Sequence, residues 1–110
     1  MGKFTVGQVV TSSFPFSDLS SQKKRPALVV AVVEFDNIIL CQITSKPYTS
    51  LISVPLLVDH FLDGGLPVDS YIRPDKLFTV DASIISKVYG TVSSEKLSEV
   101  LTTLRSIFKS

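Results

Sequence analysis

The apolar residues of the chain fall into short runs separated by polar and proline-containing segments. The runs over residues 7–14, 26–34 and 38–45 predict three strands. The second run is apolar without a break, which predicts a central place in a sheet or burial on both faces. Asp36 and Asn37 tolerate the left-handed conformation, so we expect a tight hairpin between the second and third strands.

The second half of the chain predicts shorter and more interrupted strands. Residues 51–58 are predicted to form a strand with an internal proline, which favours an edge position or a bulge. The Asp-Gly-Gly sequence at 63–65 predicts a turn. An extended segment over 70–81 also contains a proline, and a last short strand covers 86–93. Gly90 within that strand indicates a bulge or a close approach of two backbones.

A helical pattern closes the chain. Ser93 or Ser94 can cap this helix, and Glu95 suits its positive N-terminal end. Apolar residues recur on one helical face, at Leu97, Val100, Leu101, Leu104, Ile107 and Phe108. Strands followed by one closing helix predict a mainly β fold over residues 1–110 as a single domain: a small, strongly bent antiparallel sheet or barrel with the helix packed on it.

Composition narrows the classes of function. The 110 residues carry a formal net charge of +1, so binding of a polyanion must depend on a local cluster of cations. The single cysteine, Cys41, lies in an apolar run and predicts a core residue. One cysteine with one histidine, His60, does not make a zinc site, and His60 is expected to be an ordinary surface or loop residue. We expect no signal peptide and no membrane span, and hence a soluble protein of a reducing compartment, the cytoplasm.

Polar residues at the ends of predicted strands are the candidates for chemistry. The cations Lys23, Lys24 and Arg25 lie at the start of the second strand. Two hydroxyl residues and a cation lie at the end of the third strand: Thr44, Ser45 and Lys46. The extended segment contains a third group with both charges: Arg73, Asp75 and Lys76. Arg25 and Ser45 are roughly paired at the open end of the predicted hairpin. The fork of an arginine matches two phosphate oxygens, and a carboxylate can take a proton from a 2′-hydroxyl. From spacing alone, the pattern is more typical of a solvated rim of ordinary charges, in which Lys23 and Lys24 only protect a strand from aggregation.

Several segments together form a familiar pattern. A G-Q-V-V strand leads through a loop to K-R-P-A-L-V, and a strand ending in I-T-S follows. The C-terminal half carries I-R-P-D, a T-V-D stretch, a G-T-V-S strand and the final helix. In this order, over almost the whole chain, the segments resemble the MazF/PemK (Kid-like) toxins of bacterial toxin–antitoxin systems.

The resemblance implies an SH3-like antiparallel β-barrel that forms a homodimer. It also implies a metal-independent endoribonuclease that works without a cofactor. Such an enzyme cleaves single-stranded RNA, including mRNA, through attack by the 2′-hydroxyl, and leaves a 2′,3′-cyclic phosphate and a 5′-hydroxyl. A cognate antitoxin protein is expected to cover the same surface, and contact with DNA is expected only through that antitoxin.

The resemblance further assigns roles to single residues. Arg25 matches the arginine of the K-R-P motif, which holds the scissile phosphate, and Thr44 matches the hydroxyl residue at the end of the third strand. Arg73 and Asp75 match an Arg-x-Asp pair in which the aspartate is the base and the arginine the acid. Because the pKa of arginine lies far above neutrality, we favour charge stabilisation by Arg73. The remaining candidates for RNA binding are Lys23, Lys24, Ser45, Lys46, Lys76 and Phe16.

Departures from the family pattern leave other functions open. Phe78 stands where many members carry an arginine, and the first loop is compact and serine-rich, so no preference for an RNA sequence can be inferred. A non-catalytic barrel that binds RNA or gyrase is therefore the alternative function. A third reading is a barrel that pairs with a protein partner through exposed apolar residues, with Phe14 and Phe16 as anchors that could also stack on a base.

Overall fold

Seven antiparallel strands and one α-helix make up the part of the chain that the structure, a computed structural model, describes: residues 4–13, 24–46 and 51–109. The elements are β1 (Gln8–Ser13), β2 (Lys24–Val33), β3 (Asn37–Thr44), β4 (Val54–Leu56), β5 (Phe61–Gly64), β6 (Ser70–Asp81), β7 (Ile85–Val92) and α1 (Ser94–Ile107). Short 3₁₀ helices at Val58–His60 and Ala82–Ile84 precede β5 and β7. The strand order in the sheet is β4-β6-β3-β2-β1-β7-β5. The predicted mainly β fold, a small curled antiparallel sheet with a C-terminal helix, is confirmed.

A tight hairpin joins β2 and β3, as the sequence predicts, although its left-handed residues lie one position earlier than the expected Asp36 and Asn37. Val33 pairs with Asn37, and between them Phe35 and Asp36 have φ angles of 63° and 59°. Both angles lie in the left-handed region, which aspartate tolerates better than a bulky residue does. In β2, Val30 is an extra residue between two paired neighbours, and such a bulge bends a strand and increases its twist.

β6 is one long strand despite its internal proline. Its pairing with β3 passes from Gln42–Arg73 directly to Cys41–Leu77, so residues 74–76 bulge out of the ladder. Proline has no N–H to donate, and a bulge is one of the places where a strand accepts it. The interruption that the sequence predicts is thus a local bulge within a continuous strand.

The two outer strands differ in how well the sequence predicts them. β4 lies at one edge of the sheet, where Pro55 is tolerated, as predicted, although only Val54–Leu56 are paired. At the other edge, the predicted turn at 63–65 is wrong, because β5 continues through Gly64 and pairs with Gly90 of β7. A Cβ on Gly90 would overlap the carbonyl oxygen of Asp63, so the predicted close approach of backbones at Gly90 is confirmed.

Apolar clusters pack on both faces of the sheet. The larger cluster lies beneath α1 and contains Leu28, Cys41 and Ile43 together with helix residues Val100 and Leu104. The second cluster contains side chains that alternate with these along β2 and β3, together with one residue each from β1 and β6: Ala27, Val29, Ile38, Leu40, Val10 and Val80. The sheet therefore buries both faces in its middle, which leaves the strand ends for polar residues.

The helix begins where the sequence predicts. The Ser93 hydroxyl accepts a hydrogen bond from the backbone N–H of Lys96 at 3.1 Å, which is the expected N-cap. Val100 and Leu104, from the predicted apolar face, are buried against the sheet. The helix thus closes the larger cluster.

We predict that Gly90→Ala lowers the free energy of unfolding by roughly 2–3 kcal/mol, because the new methyl group meets backbone atoms that cannot swing away. Urea unfolding followed by circular dichroism measures the loss. Val88→Ala in the same strand is the control, since Val88 is 42% exposed and should lose less than about 1 kcal/mol. Equal losses in the two variants would contradict the proposed backbone contact.

Cys41 provides a second test of the core. Burial raises the pKa of its thiol from 9.0 to about 12, and the negative charge of Asp75 adds to the rise. We predict that a thiol reagent near neutral pH labels the native protein at least about 100-fold more slowly than the unfolded protein.

The same shift predicts how stability depends on pH. Between pH 9.0 and about 12 the unfolded thiol loses its proton while the folded thiol keeps it, so stability falls as the pH rises through this window. Cys41→Ala should reduce this slope. Fast labelling of the folded protein, or an unchanged slope in Cys41→Ala, would count against a buried, neutral thiol.

Candidate functional site

Arg25 lies at the start of β2, where its backbone is fixed and its side chain is exposed. The backbone pairs with Ser12 of β1, and the Thr11 hydroxyl donates a hydrogen bond to the Arg25 carbonyl oxygen at 3.3 Å. Pro26 follows, and its ring restricts the backbone further. The guanidinium therefore projects from a rigid support, which reduces the entropy lost when it holds a ligand.

The end of β3 lies beside Arg25. Ala27 pairs with Gln42, and the same register extended by two residues places Arg25 opposite Thr44. The sequence predicts a rough pairing with Ser45, so the position is displaced by one residue. The bulge in β2 explains the difference, because an extra residue changes the count from the turn.

A groove of about 470 Å³ lies over these strand ends. Its polar residues are Arg25, Thr44, Ser45, Lys46 and Ser70, and its apolar residues are Pro26, Ile43, Leu66, Pro67, Val68 and Tyr89. The Thr44 hydroxyl accepts a hydrogen bond from the backbone N–H of Lys46 at 3.1 Å, which shapes the bend after β3. Four of the predicted site residues, Arg25, Thr44, Ser45 and Lys46, therefore meet at one groove.

Arg73 and Asp75 form an ion pair that is not part of the groove lining. Nη2 of Arg73 donates to Oδ2 of Asp75 at 3.0 Å, and the two side chains are 26% and 37% exposed. Asp75 belongs to the bulge of β6, where the chain leaves the ladder. The bulge lets the carboxylate turn back towards the guanidinium two residues before it.

The ion pair nevertheless lies on the same face of the sheet as the groove arginine. Arg73 pairs with Gln42, which is two residues from Thr44 along β3, and side chains two residues apart share a face. From strand spacing and rise, the Cα atoms of Thr44 and Arg73 are about 8 Å apart, and those of Arg25 and Arg73 about 12 Å. These distances allow two long arginine side chains to approach a single phosphodiester linkage.

The other predicted residues have different surroundings. Lys76 is exposed in the β6 bulge, and Lys24 is the first residue of β2. Phe78 packs against the second apolar cluster, where an arginine would be less well accommodated. Lys23, Phe14 and Phe16 lie outside the described residues.

The structure gives His60 a local role. Its Nδ1 accepts a hydrogen bond from the backbone N–H of Leu57 at 2.9 Å. Within residues 4–13, 24–46 and 51–109, no group of three or more His, Cys, Asp or Glu residues has an arrangement that could hold a metal ion. None of the helices in these ranges has the length and apolar character needed to cross a lipid bilayer.

Comparison with known proteins identifies the family. The family model of the PemK-like, MazF-like toxins of type II toxin–antitoxin systems matches residues 5–108. The chain belongs to this toxin family. A search of curated proteins finds no significant match for the toxin chain.

Solved structures share the fold of this toxin chain at low sequence identity. An endoribonuclease in complex with its cognate antitoxin, from a mycobacterial species, is 16% identical with a TM-score of 0.72, over 92% of this chain and 90% of that chain. A MazE-MazF structure (Form-III) from Deinococcus radiodurans is 20% identical with a TM-score of 0.74, over 93% of this chain and 92% of that chain. The Mycobacterium tuberculosis toxin MazF-mt6 is 15% identical with a TM-score of 0.71, over 92% of this chain and 95% of that chain. At these identities, the likeness establishes a MazF-like fold.

Several groove residues could not be predicted from the sequence. Leu66, Pro67 and Val68 follow β5, and neither their apolar character nor their spacing distinguishes them from core residues. Tyr89 has a signal in the sequence, because it precedes Gly90, where a bulge or close backbone contact is predicted. The pairing of β5 with β7 brings this apolar segment to the groove, and only the tertiary structure shows that pairing.

We predict that Asp75→Asn changes the free energy of unfolding by less than about 1 kcal/mol, because an ion pair that remains partly exposed to solvent contributes little to stability. Chemical denaturation measures this, and Asp59→Asn, at an exposed carboxylate in a 3₁₀ helix, is the matched control. A loss of several kcal/mol would show that the pair is structural, and activity losses in Asp75 variants would then need another explanation.

Proposed function

We propose that this toxin is a metal-independent endoribonuclease that cleaves single-stranded RNA by transesterification. Its family membership supports this, and two of its structural neighbours are named endoribonucleases. The observation that carries most weight is the groove in which Arg25, Thr44, Ser45 and Lys46 meet, with the Arg73–Asp75 pair on the face of the sheet that Arg25 shares. Cations and hydroxyls together match the oxygens of a phosphodiester.

The proposed reaction uses the RNA's own nucleophile. The 2′-oxygen forms a bond to phosphorus while the bond from phosphorus to the 5′-oxygen breaks, which gives a 2′,3′-cyclic phosphate and a 5′-hydroxyl. Asp75 accepts the proton of the 2′-hydroxyl, and water supplies the proton that the 5′-oxygen takes up. The carboxylate oxygen not bonded to Arg73 is the one that faces the hydroxyl in this scheme.

Charge stabilisation is the proposed task of the arginines. Negative charge grows on the non-bridging oxygens and on the leaving oxygen as the transition state forms, and fixed cations oppose it. Arg25 holds the non-bridging oxygens with Thr44 as an additional donor, and Arg73 stabilises the leaving oxygen. Lys46 and Lys76, with Lys23 and Lys24, attract the strand through their charge.

The proposed protein partners follow from the same surface. A cognate antitoxin covers the groove and excludes RNA, in keeping with neighbours solved as toxin–antitoxin complexes. The toxin itself forms a homodimer, and DNA is bound only through the antitoxin.

Phe78 favours one alternative function. Its aromatic ring packs against the second cluster at a position where many members of the family carry a phosphate-binding arginine. A toxin without that cation can bind RNA or a protein such as gyrase through the same groove without cleaving RNA. The Asp75 carboxylate would then have no chemical task.

We predict that purified toxin, freed of antitoxin, cuts a long single-stranded RNA in the presence of EDTA. Arg25→Ala and Asp75→Asn should each slow cleavage by about 100-fold or more. Mapping of the fragment ends should find 2′,3′-cyclic phosphates and 5′-hydroxyls. Arg105→Ala and Asp59→Asn, at exposed positions outside the groove, are the matched controls and should cleave normally.

Three outcomes would reject the nuclease. These are no cuts at any toxin concentration, cuts that persist in both Arg25→Ala and Asp75→Asn, and cuts that stop when EDTA is added. Growth arrest in cells whose RNA stays intact would favour the non-catalytic alternative.

A further inference from the structure

Tyr89 occupies a special position in β7. Val9 of β1 pairs with Gly90, and the next residue, Val10, pairs with Val88, so Tyr89 is the extra residue of a bulge. Bulges redirect side chains and are common beside functional sites. Here the redirected residue lines the same groove as Arg25 and Thr44.

A fixed apolar segment, residues 66–68, forms a wall of the same groove. The close contact of Gly64 with Gly90 brings the end of β5 against β7, and the Tyr89 carbonyl oxygen accepts a hydrogen bond from Gly65 N–H at 3.1 Å. At the far end of the wall, the buried Ser70 hydroxyl donates to the Val68 carbonyl oxygen at 3.0 Å. The intervening segment, residues 66–68, is therefore held at both ends beside the tyrosine.

The charges around the groove favour a ligand that is both flat and anionic. The Lys87 ammonium lies 5.0 Å from the centre of the Tyr89 ring, and Arg25 and Lys46 line the groove. Apolar walls with an aromatic residue suit the face of a nucleobase, and neighbouring cations suit its phosphate. An apolar protein side chain would use the walls but leave the cations without a partner.

From this arrangement we propose that Tyr89 and the segment 66–68 form a pocket for the nucleobase that adjoins the phosphate held by Arg25. Tyr89 contacts the base and thereby determines which base is accepted; it takes no part in the bond changes. The proposal rests on the proposed action on RNA and adds a subsite for sequence preference to it.

The first experiment compares cleavage patterns on an RNA pool with random sequence. Wild-type toxin should show a base preference at a position next to the cut, and Tyr89→Leu should lose that preference while it still cuts. Phe35→Leu is the matched control, because Phe35 is 88% exposed at the hairpin tip, at the opposite end of β2 from Arg25. An unchanged preference in Tyr89→Leu would overturn the base pocket and leave the nuclease intact.

A binding experiment separates the pocket from the nuclease. Fluorescence anisotropy measures binding of short 2′-deoxy homo-oligonucleotides, which cannot be cleaved by this chemistry, and of an abasic sugar–phosphate oligomer of equal length. Wild-type toxin should bind its preferred oligonucleotide about tenfold more tightly than the abasic oligomer, and Tyr89→Leu should remove most of that difference. If wild-type toxin cuts no RNA yet shows this pattern, the nuclease fails and the pocket stands.

Additional variants test whether a folding defect, rather than loss of the pocket, explains the result with Tyr89→Leu. Tyr89 also packs against the larger core cluster, so Tyr89→Phe is included to keep the ring and should preserve the tenfold difference. Val68→Ser changes the 66–68 wall at a residue that is 56% exposed, and it should reduce the difference several-fold without loss of structure by circular dichroism. The proposal would be overturned if wild-type toxin bound the base-containing and abasic oligomers equally tightly. It would also be overturned if Tyr89→Leu and Val68→Ser each lost as much affinity for the abasic oligomer as for the base-containing one.

Discussion

The antiparallel register of β2, β3 and β6 is the constraint on which the site depends. Because side chains alternate with a period of two, the pairing of Ala27 with Gln42 and of Gln42 with Arg73 decides which polar residues share a face. A slip of one residue in either pair would turn Arg25 or Arg73 to the other face, beneath the helix. The apolar clusters on both faces make that slip costly, so core packing also fixes the chemistry at the strand ends.

Three of the bulges in the described strands then place groups that a regular ladder would not place. The extra residue in β2 helps the sheet curl, the bulge at 74–76 brings Asp75 back to Arg73, and the bulge at Tyr89 turns a side chain to the groove. Each lies in a strand that contributes to the site or its wall. The bulges therefore connect the curvature of the sheet with the placement of functional groups.

The electrostatic character of the site is local rather than global. A net charge of +1 gives the whole chain little attraction for a polyanion. The groove instead places Arg25 and Lys46 beside apolar walls, and the Arg73–Asp75 pair supplies a carboxylate outside the groove lining, on the face of the sheet that Arg25 shares. Such a site suits a ligand that carries one phosphate beside a flat apolar group.

The sequence by itself determined the helix and its cap, the hairpin, the buried Cys41 and the proline-containing edge strand. These features depend on residues close together in the chain, and their patterns carry local physical signals. It also pointed to Arg25, Thr44, Ser45 and Lys46, because polar residues at the two ends of one hairpin must lie near each other. Only the tertiary structure decided that β5 is a strand, that Tyr89 and residues 66–68 reach the groove, and that Asp75 bonds Arg73 outside its lining. Those features depend on pairing between distant segments and on bulges, and the energies that select them come from packing that no local pattern records.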